Sequence, residues 1–307
     1  MDNTSRAGVK RAGLRKKNWE LFFAALPLML LVILFFYVPL GGWIISVFEY
    51  RPGRALFSST FIGFKYFKMF LTDRAVIRVL LNTVIFSGIG ILLSPLPMVF
   101  AIGLNEIRVN RLKKIFQTMT TLPNFISVII VYSLAFAMFS SEGLFNSILV
   151  SRGSDPTVNF LSNKDIVYIF QTFVSQWRYI GWNAIIYMAA IAGIDQELYE
   201  AARIDGAGRL RCAWNITVPG VMPTYIVLFL LSVANFVNTG FEQYFVFQNP
   251  VVYNQIEVLD LYIYKMGLKL FDYSYATAVG ILKSFVSIAL LTMANVIAKQ
   301  VRGTSIF

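Results

Sequence analysis

A chain of 307 residues that is 57% hydrophobic and only 14% charged carries more apolar surface than a soluble core of that length can bury, so a lipid bilayer is its expected solvent. Histidine is absent and Cys212 is the single cysteine, which excludes an intrachain disulfide framework and any histidine-containing metal site. The formal net charge of +11 reads as a membrane-topology signal, with no case for a nucleic-acid partner.

Residues 1–20 form a basic tail bearing Arg6, Lys10, Arg11, Arg15, Lys16 and Lys17. Six stretches then reach the ~20 mainly apolar residues that a spanning helix needs. They lie at 21–47, 77–104, 115–139, 166–192, 223–247 and 276–298, and predict an all-α integral membrane protein with six transmembrane helices. The first apolar segment is too long for a signal-peptide core and lacks a small-residue cleavage site, so it is expected to be a retained span. The outer stretch 61–74, with Phe64, Phe67, Met69 and Phe70 among lysines, predicts a short amphipathic helix at the interface.

Pro95 and Pro97 predict a break in the second span, and Thr121-Leu122-Pro123-Asn124 another at the start of the third. The stretch 140–165 is polar and turn-rich, with Gly153, Asp155 and Pro156. Between spans four and five lies the inner loop 193–222, where Asp195 is the expected N-cap of a helix and Gly206 its C-terminal residue. The outer stretch 248–275 carries Leu259, Leu261, Ile263, Met266 and Leu270 among tyrosines and predicts a partly buried scaffold. The resulting division is a tail at 1–20, a first span with its outer segment at 21–75, a five-helix core at 76–300, and a tail at 301–307.

With a cytoplasmic N-terminus, fifteen Lys and Arg fall on the inner side and nine on the outer. That bias places both termini and the loop 193–222 in the cytoplasm. The sequence has no G-x-x-x-x-G-K-[ST] element and no plausible catalytic set, so the chain is expected neither to bind ATP nor to act as an enzyme.

Polar groups inside spans are costly and therefore candidate functional residues. In the fourth span Gln171, Ser175, Arg178 and Trp182 share a helix face, with Trp177 and Tyr179 beside them. Asn235, Asn238 and Glu242 are expected to share one in the fifth, and Lys283 with Ser287 one turn on is a further candidate in the sixth. Two such stripes could line a water-filled route for a polar solute, or Arg178 or Lys283 could simply neutralise Glu242. Asn82 and Asn124 read as helix-packing or break-capping residues.

The loop 195–219 reads DQELYEAARIDGAGRLRCAWNITVP. Its spacing, Glu200-Ala201-Ala202, then Gly206, Ile216 and Val218-Pro219, resembles the EAA motif of membrane subunits in binding-protein-dependent ABC importers of type I, with a MetI-like transmembrane domain. Val218 stands where that pattern usually has Leu. The strings YVPLGGWIISVFEYRP (37–52), LPNFIS (122–127), GFEQYFVFQNPVVY (240–253) and YSYATAVGILKS (273–284) resemble the oligosaccharide branch, whose members import fragments such as alginate or rhamnogalacturonan oligomers.

The resemblance implies that the loop is a coupling helix, with Glu200, Ala201, Ala202, Arg203, Asp205, Gly206, Ile216 and Pro219 engaging an ATPase. It implies a second homologous permease, hence a heterodimer, two ATP-binding cassette subunits that hold ATP and magnesium, and an extracytoplasmic solute-binding protein. No cofactor or metal is expected on this chain. By similarity to the maltose-importing branch, Arg178, Tyr179, Trp182, Asn235 and Asn238 fall where sugar is contacted, with Glu242 nearby. The competing readings are an ABC permease for another solute, an ion-driven carrier working through Glu242, and a non-transporting scaffold.

Overall fold

The computed structural model describes residue 19 and residues 21–153 and 159–302. The basic tail from Arg6 to Lys17, together with Asp155 and Pro156, lies outside the described residues. Among the described residues the architecture is helical, with five helical runs long and apolar enough to cross a membrane.

Helix α1, Leu21–Val47, passes through a π turn at Ile33–Tyr37 and tightens to 3-10 geometry over Val38–Val47. Pro39 lies in the first turn of that last stretch, where its missing N–H costs little. The C-terminal end of α1 meets the bundle, where Trp43 faces Phe285 at a ring-centroid distance of 6.4 Å. The expected amphipathic helix is α2, Lys65–Thr72, which buries Phe70 and leaves Phe64 and Leu71 exposed.

Asp73 starts α3, Arg74–Leu92, by accepting the Ala75 N–H at 2.8 Å. A turn at Leu93–Pro95 separates it from α4, Leu96–Asn105, so the second span is broken where its prolines predict. The third span differs from expectation. Residues 115–121 belong to α5, Asn110–Thr121, which buries no side chain and ends in a 3-10 turn at Leu122–Phe125. Pro123 prevents a continuous helix, and Ser127 restarts one by accepting the Ile130 N–H at 3.4 Å. The membrane-length run is Val128–Ser151, made of α6, Val128–Phe139, and α7, Leu144–Ser151. Part of the stretch expected to be turn-rich is therefore helix.

Helix α8, Val167–Ala192, is 26 residues long, about 39 Å at ~1.5 Å per residue. It is long enough to span, but Gln171, Gln176, Arg178 and Asn183 leave it less apolar than the five runs above. After α9, Gln196–Ile204, a helical run from Arg209 to Ala234 comprises α10, Arg209–Cys212, a π turn at Ala213–Thr217, and α11, Val218–Ala234. The fifth span thus starts earlier than predicted and stops at Asn235. Gly240, at φ +85°, turns the chain before α12, Glu242–Phe247.

The stretch 248–275 is more buried than a loop would be. Its helices α13, Tyr253–Ile256, and α14, Leu259–Tyr264, bury Ile256, Leu259, Leu261 and Tyr262. Asn82 fixes this scaffold to α3. Its amide donates to the carbonyls of Asn254 at 2.8 Å and Glu257 at 3.0 Å, while the Tyr168 hydroxyl donates to its oxygen at 2.7 Å. A π turn at Lys265–Lys269 leads into the last helix, α15, Tyr273–Arg302. Met98, Ala101, Ala184, Tyr187, Ile191 and Val221 join α4, α8 and α11.

Candidate coupling loop and solute pathway

The loop between α8 and α11 is built around a capped helix. Asp195 accepts the Glu197 N–H at 3.0 Å and opens α9. Glu197 in the first turn and Arg203 in the last both suit the helix dipole. At the other end the Ala207 N–H returns to the Ala202 carbonyl at 2.8 Å, while the Asp205 N–H bonds Ala201 at 3.0 Å. Gly206 makes that reversal at φ +79°, and a Cβ there would meet nothing within 4 Å. The Tyr199 hydroxyl lies 2.9 Å from Thr217 Oγ1 and ties α9 to the π turn before α11.

Glu200, Ala201, Arg203, Asp205, Gly206 and Pro219 are exposed, and Ala202 and Ile216 are half-buried. The structure adds four residues that the motif spacing does not single out. Leu198, Ile204, Leu210 and Trp214 are exposed large apolar side chains, Ile204 to 87%. An apolar surface on an otherwise polar loop points to a protein partner. Their apolar character was legible, but only the fold shows that none of the described residues covers them.

On α8 the predicted stripe divides by burial. Gln171 is buried and structural, because the Gln243 amide donates to both its backbone and side-chain oxygens at 2.9 Å. Arg178 is 6% exposed, its guanidinium lies 4.9 Å from the Tyr179 ring centroid, and its Nε has no partner among the described residues. Ser175, Arg178, Tyr179, Thr239 and Glu242 line a cavity of about 270 Å³. Trp182 is exposed, with Phe125 packed edge-on at 5.5 Å.

Asn235, Asn238 and Glu242 do not share a helix face. Asn235 closes α11, Asn238 lies in the connecting segment, and Glu242 opens α12, because the helix ends before Gly240. The Asn238 amide donates to Asn235 Oδ1 at 3.4 Å and to Ser287 Oγ at 3.3 Å. Lys283 does not neutralise Glu242 either; it pairs with Asp260 of α14. A second cavity, about 310 Å³, is lined by Ser94, Gln176, Asn183, Ser232 and Asn235. Gln176 and Asn183 were missed because the stripe was counted from Gln171. The three- and four-residue spacing of Gln176, Tyr179 and Asn183 marks a neighbouring face.

Residues 89–303 match the family model described as binding-protein-dependent transport system inner membrane component. The chain belongs to that family. It is 37% identical over 298 residues to Protein LplB of Bacillus subtilis (strain 168), covering 96% of this chain and 93% of the relative. It is also 37% identical to the polygalacturonan/rhamnogalacturonan transport system permease protein YteP of the same strain, covering 91% and 88% respectively. A solved chain of a bacterial alginate ABC transporter, in complex with an alginate pentasaccharide-bound periplasmic protein, superposes with a TM-score of 0.86 at 31% identity. That match covers 95% of this chain and 98% of the other. The chain is therefore a multi-pass membrane permease subunit of a transport system and not an enzyme.

Proposed function

We propose that this permease serves an ATP-driven importer for oligosaccharides, including complex or acidic glycan fragments, and works by alternating access. The observation that carries the reading is the loop at 195–219. A capped helix ends in a left-handed glycine and presents exposed Glu200, Ala201, Arg203 and Asp205 beside exposed Leu198, Ile204, Leu210 and Trp214. Such a surface suits docking into a groove of a separate ATPase, whose closure would rock the bundle around a central site. ATP and magnesium would be held by two such ATPase subunits. A second homologous permease and an extracytoplasmic binding protein would complete the assembly, and a binding protein accompanies the similar alginate transporter.

The permease would lie in the bacterial plasma membrane with both termini and the coupling loop cytoplasmic, as the distribution of Lys and Arg favours. The two cavities beside α8, one holding Arg178, Tyr179 and Glu242 and the other Asn235, are the candidate solute pathway. Relatives support sugar as cargo. YteP, named for polygalacturonan/rhamnogalacturonan transport, stands at 37% identity, above a permease named for sn-glycerol-3-phosphate transport, UgpA of Escherichia coli O157:H7, at 28%.

The test is ATP-dependent uptake of defined oligosaccharides into vesicles holding the full complex, comparing the parent with Gly206→Asp. Loss of uptake with the complex still assembled is expected. Uptake that needs no ATPase subunit and tolerates the substitution would replace this reading with the carrier alternative acting through Glu242.

A further inference from the structure

Cations within this bundle fall into two groups. Arg78 and Lys265 both address Glu257, a carboxylate only 1% exposed, at 3.4 and 3.1 Å, and Lys283 holds Asp260. Each of those three cations has a carboxylate partner inside the fold, Glu257 being shared by two of them. Arg178 and Lys269 have no carboxylate at ion-pair distance among the described residues. Both rest on aromatic rings instead. The Arg178 guanidinium lies 4.9 Å from the Tyr179 centroid, and Lys269 Nζ lies 5.6 Å from that of Phe245 and 6.0 Å from that of Tyr264.

A ring face positions a cation without cancelling its charge, so each remains able to attract an anion. The two positions are joined by one side chain. Phe241 stacks on Phe245 at 4.9 Å with an interplanar angle of 24°, approaches Tyr264 at 4.6 Å, and also lines the cavity that holds Arg178. Rings in this arrangement offer a sugar its stacking surface between two positive charges.

We propose that Lys269, the Phe241–Phe245–Tyr264 cluster and Arg178 form a two-step carboxylate relay, which draws an acidic sugar from the outer mouth into the cavity beside α8. This rests on the oligosaccharide-importer reading and adds that uronate-type carboxylates are what the permease selects. The steps differ physically. Lys269 is exposed, so its attraction is weak and screened by salt. Arg178 is buried with an unpartnered Nε, and a guanidinium desolvated in this way gains most from a carboxylate. Glu242 borders the same cavity with no ion pair among the described residues. Its charge repels a carboxylate and holds the acidic group to the Arg178 side.

The experiment uses the complete importer in proteoliposomes, with trigalacturonate and its carboxyl-reduced neutral counterpart as probes. Each rate is divided by the occupancy of the binding protein, so that protein's own preference drops out. Lys269→Gln is expected to slow acidic uptake about threefold at low salt and to have no effect at high salt. Arg178→Gln should slow it about thirtyfold at either salt, with partial recovery in Arg178→Lys. Both variants should slow uptake of the neutral sugar less than uptake of the acidic one. Equal losses for both sugars would overturn the relay and make these residues structural, with Arg178 paired across the permease interface. A Lys269→Gln effect that ignores salt would overturn the outer step. An unsubstituted importer that hydrolyses ATP but moves neither sugar would instead refute the oligosaccharide reading itself.

Discussion

Gly206 offers a test that separates backbone geometry from surface docking. It sits at φ +79°, and a Cβ built there meets nothing within 4 Å. Any cost of substitution within this chain is therefore conformational rather than steric. An L-residue with a Cβ pays about 1–2 kcal/mol in the left-handed region, asparagine less, and a β-branched residue more. At ~1.4 kcal/mol per factor of ten, alanine should reduce the population of the native turn about five- to thirtyfold relative to glycine. The return bond from the Ala207 N–H to Ala202 would be lost with it, leaving the end of α9 frayed. ATPase stimulation by loaded binding protein should therefore fall in the order Gly206, Gly206→Asn, Gly206→Ala, Gly206→Val. Detergent stability of the isolated permease should hardly change, because a side chain at Gly206 points into open space. If Asn and Val are equally damaging, the backbone argument fails and a partner surface that excludes every side chain is responsible.

Other positions give independent expectations. Gly181→Ala would place a Cβ 2.2 Å from the Thr120 carbonyl oxygen and 2.7 Å from the Thr121 nitrogen, both backbone atoms, so α8 must move off α5. A loss of about 3 kcal/mol in unfolding stability is expected, near the top of the overpacking range. Glu257→Ala would leave Arg78 and Lys265, themselves 42% and 31% exposed, without their shared carboxylate and should cost about 1–3 kcal/mol, read by thermal unfolding of the purified permease. The same network predicts alkaline weakness. Burial and the hydrogen bond to Glu257 raise the Tyr253 pKa above its ordinary 10.0. For Lys265 burial acts to lower it, but Tyr253 and Glu257 more than offset that and raise it above 10.5. Folded-state values above the unfolded ones mean stability that is complete below about pH 10 and lost as pH rises through the raised values. A pH series of unfolding midpoints should show this, and Tyr253→Phe should flatten it.

How much was legible depended on whether a signal was local. Asp195, Gly206, Pro95 and Pro123 act through their own backbone, and the cap, the left-handed turn and both breaks stand where the residues require. The ends of spans three and five were misjudged because hydropathy does not register a break inside an apolar run. Residues 115–121 are apolar enough to extend a span, yet Pro123 and Ser127 cut them off. Partners distant in sequence were not legible at all. Nothing near Lys283 points to Asp260, and Glu257 offers no local sign that it will be buried under Arg78 and Lys265. The pathway residues fall between these cases. Arg178 stood out as a charge in a span, but Gln176 and Asn183 became meaningful only once the cavity beside α11 was seen.

The breaks and the cavities belong to one design. The turn at Leu93–Pro95 contributes Leu93 and Ser94 to the cavity that Asn235 closes from the end of α11. The segment after Asn235 supplies Thr239 and Gly240 to the cavity of Arg178 and Glu242. A third break, at Leu122–Phe125, brings Phe125 against Trp182. An interrupted helix frees backbone N–H and C=O groups that hydrocarbon cannot satisfy, so interruptions persist only where protein or water meets them. In this permease they meet the polar face of α8, a long helix too polar to rank with the five apolar spans among the described residues. A continuous helix at any of these points would give a better membrane span and a poorer route for a hydroxyl-rich solute. Filling the second cavity by Ser232→Leu, at a position exposed in this chain, should therefore leave folding within about 0.5 kcal/mol of the parent while reducing sugar uptake. Undiminished uptake in that variant would show that solute passes elsewhere.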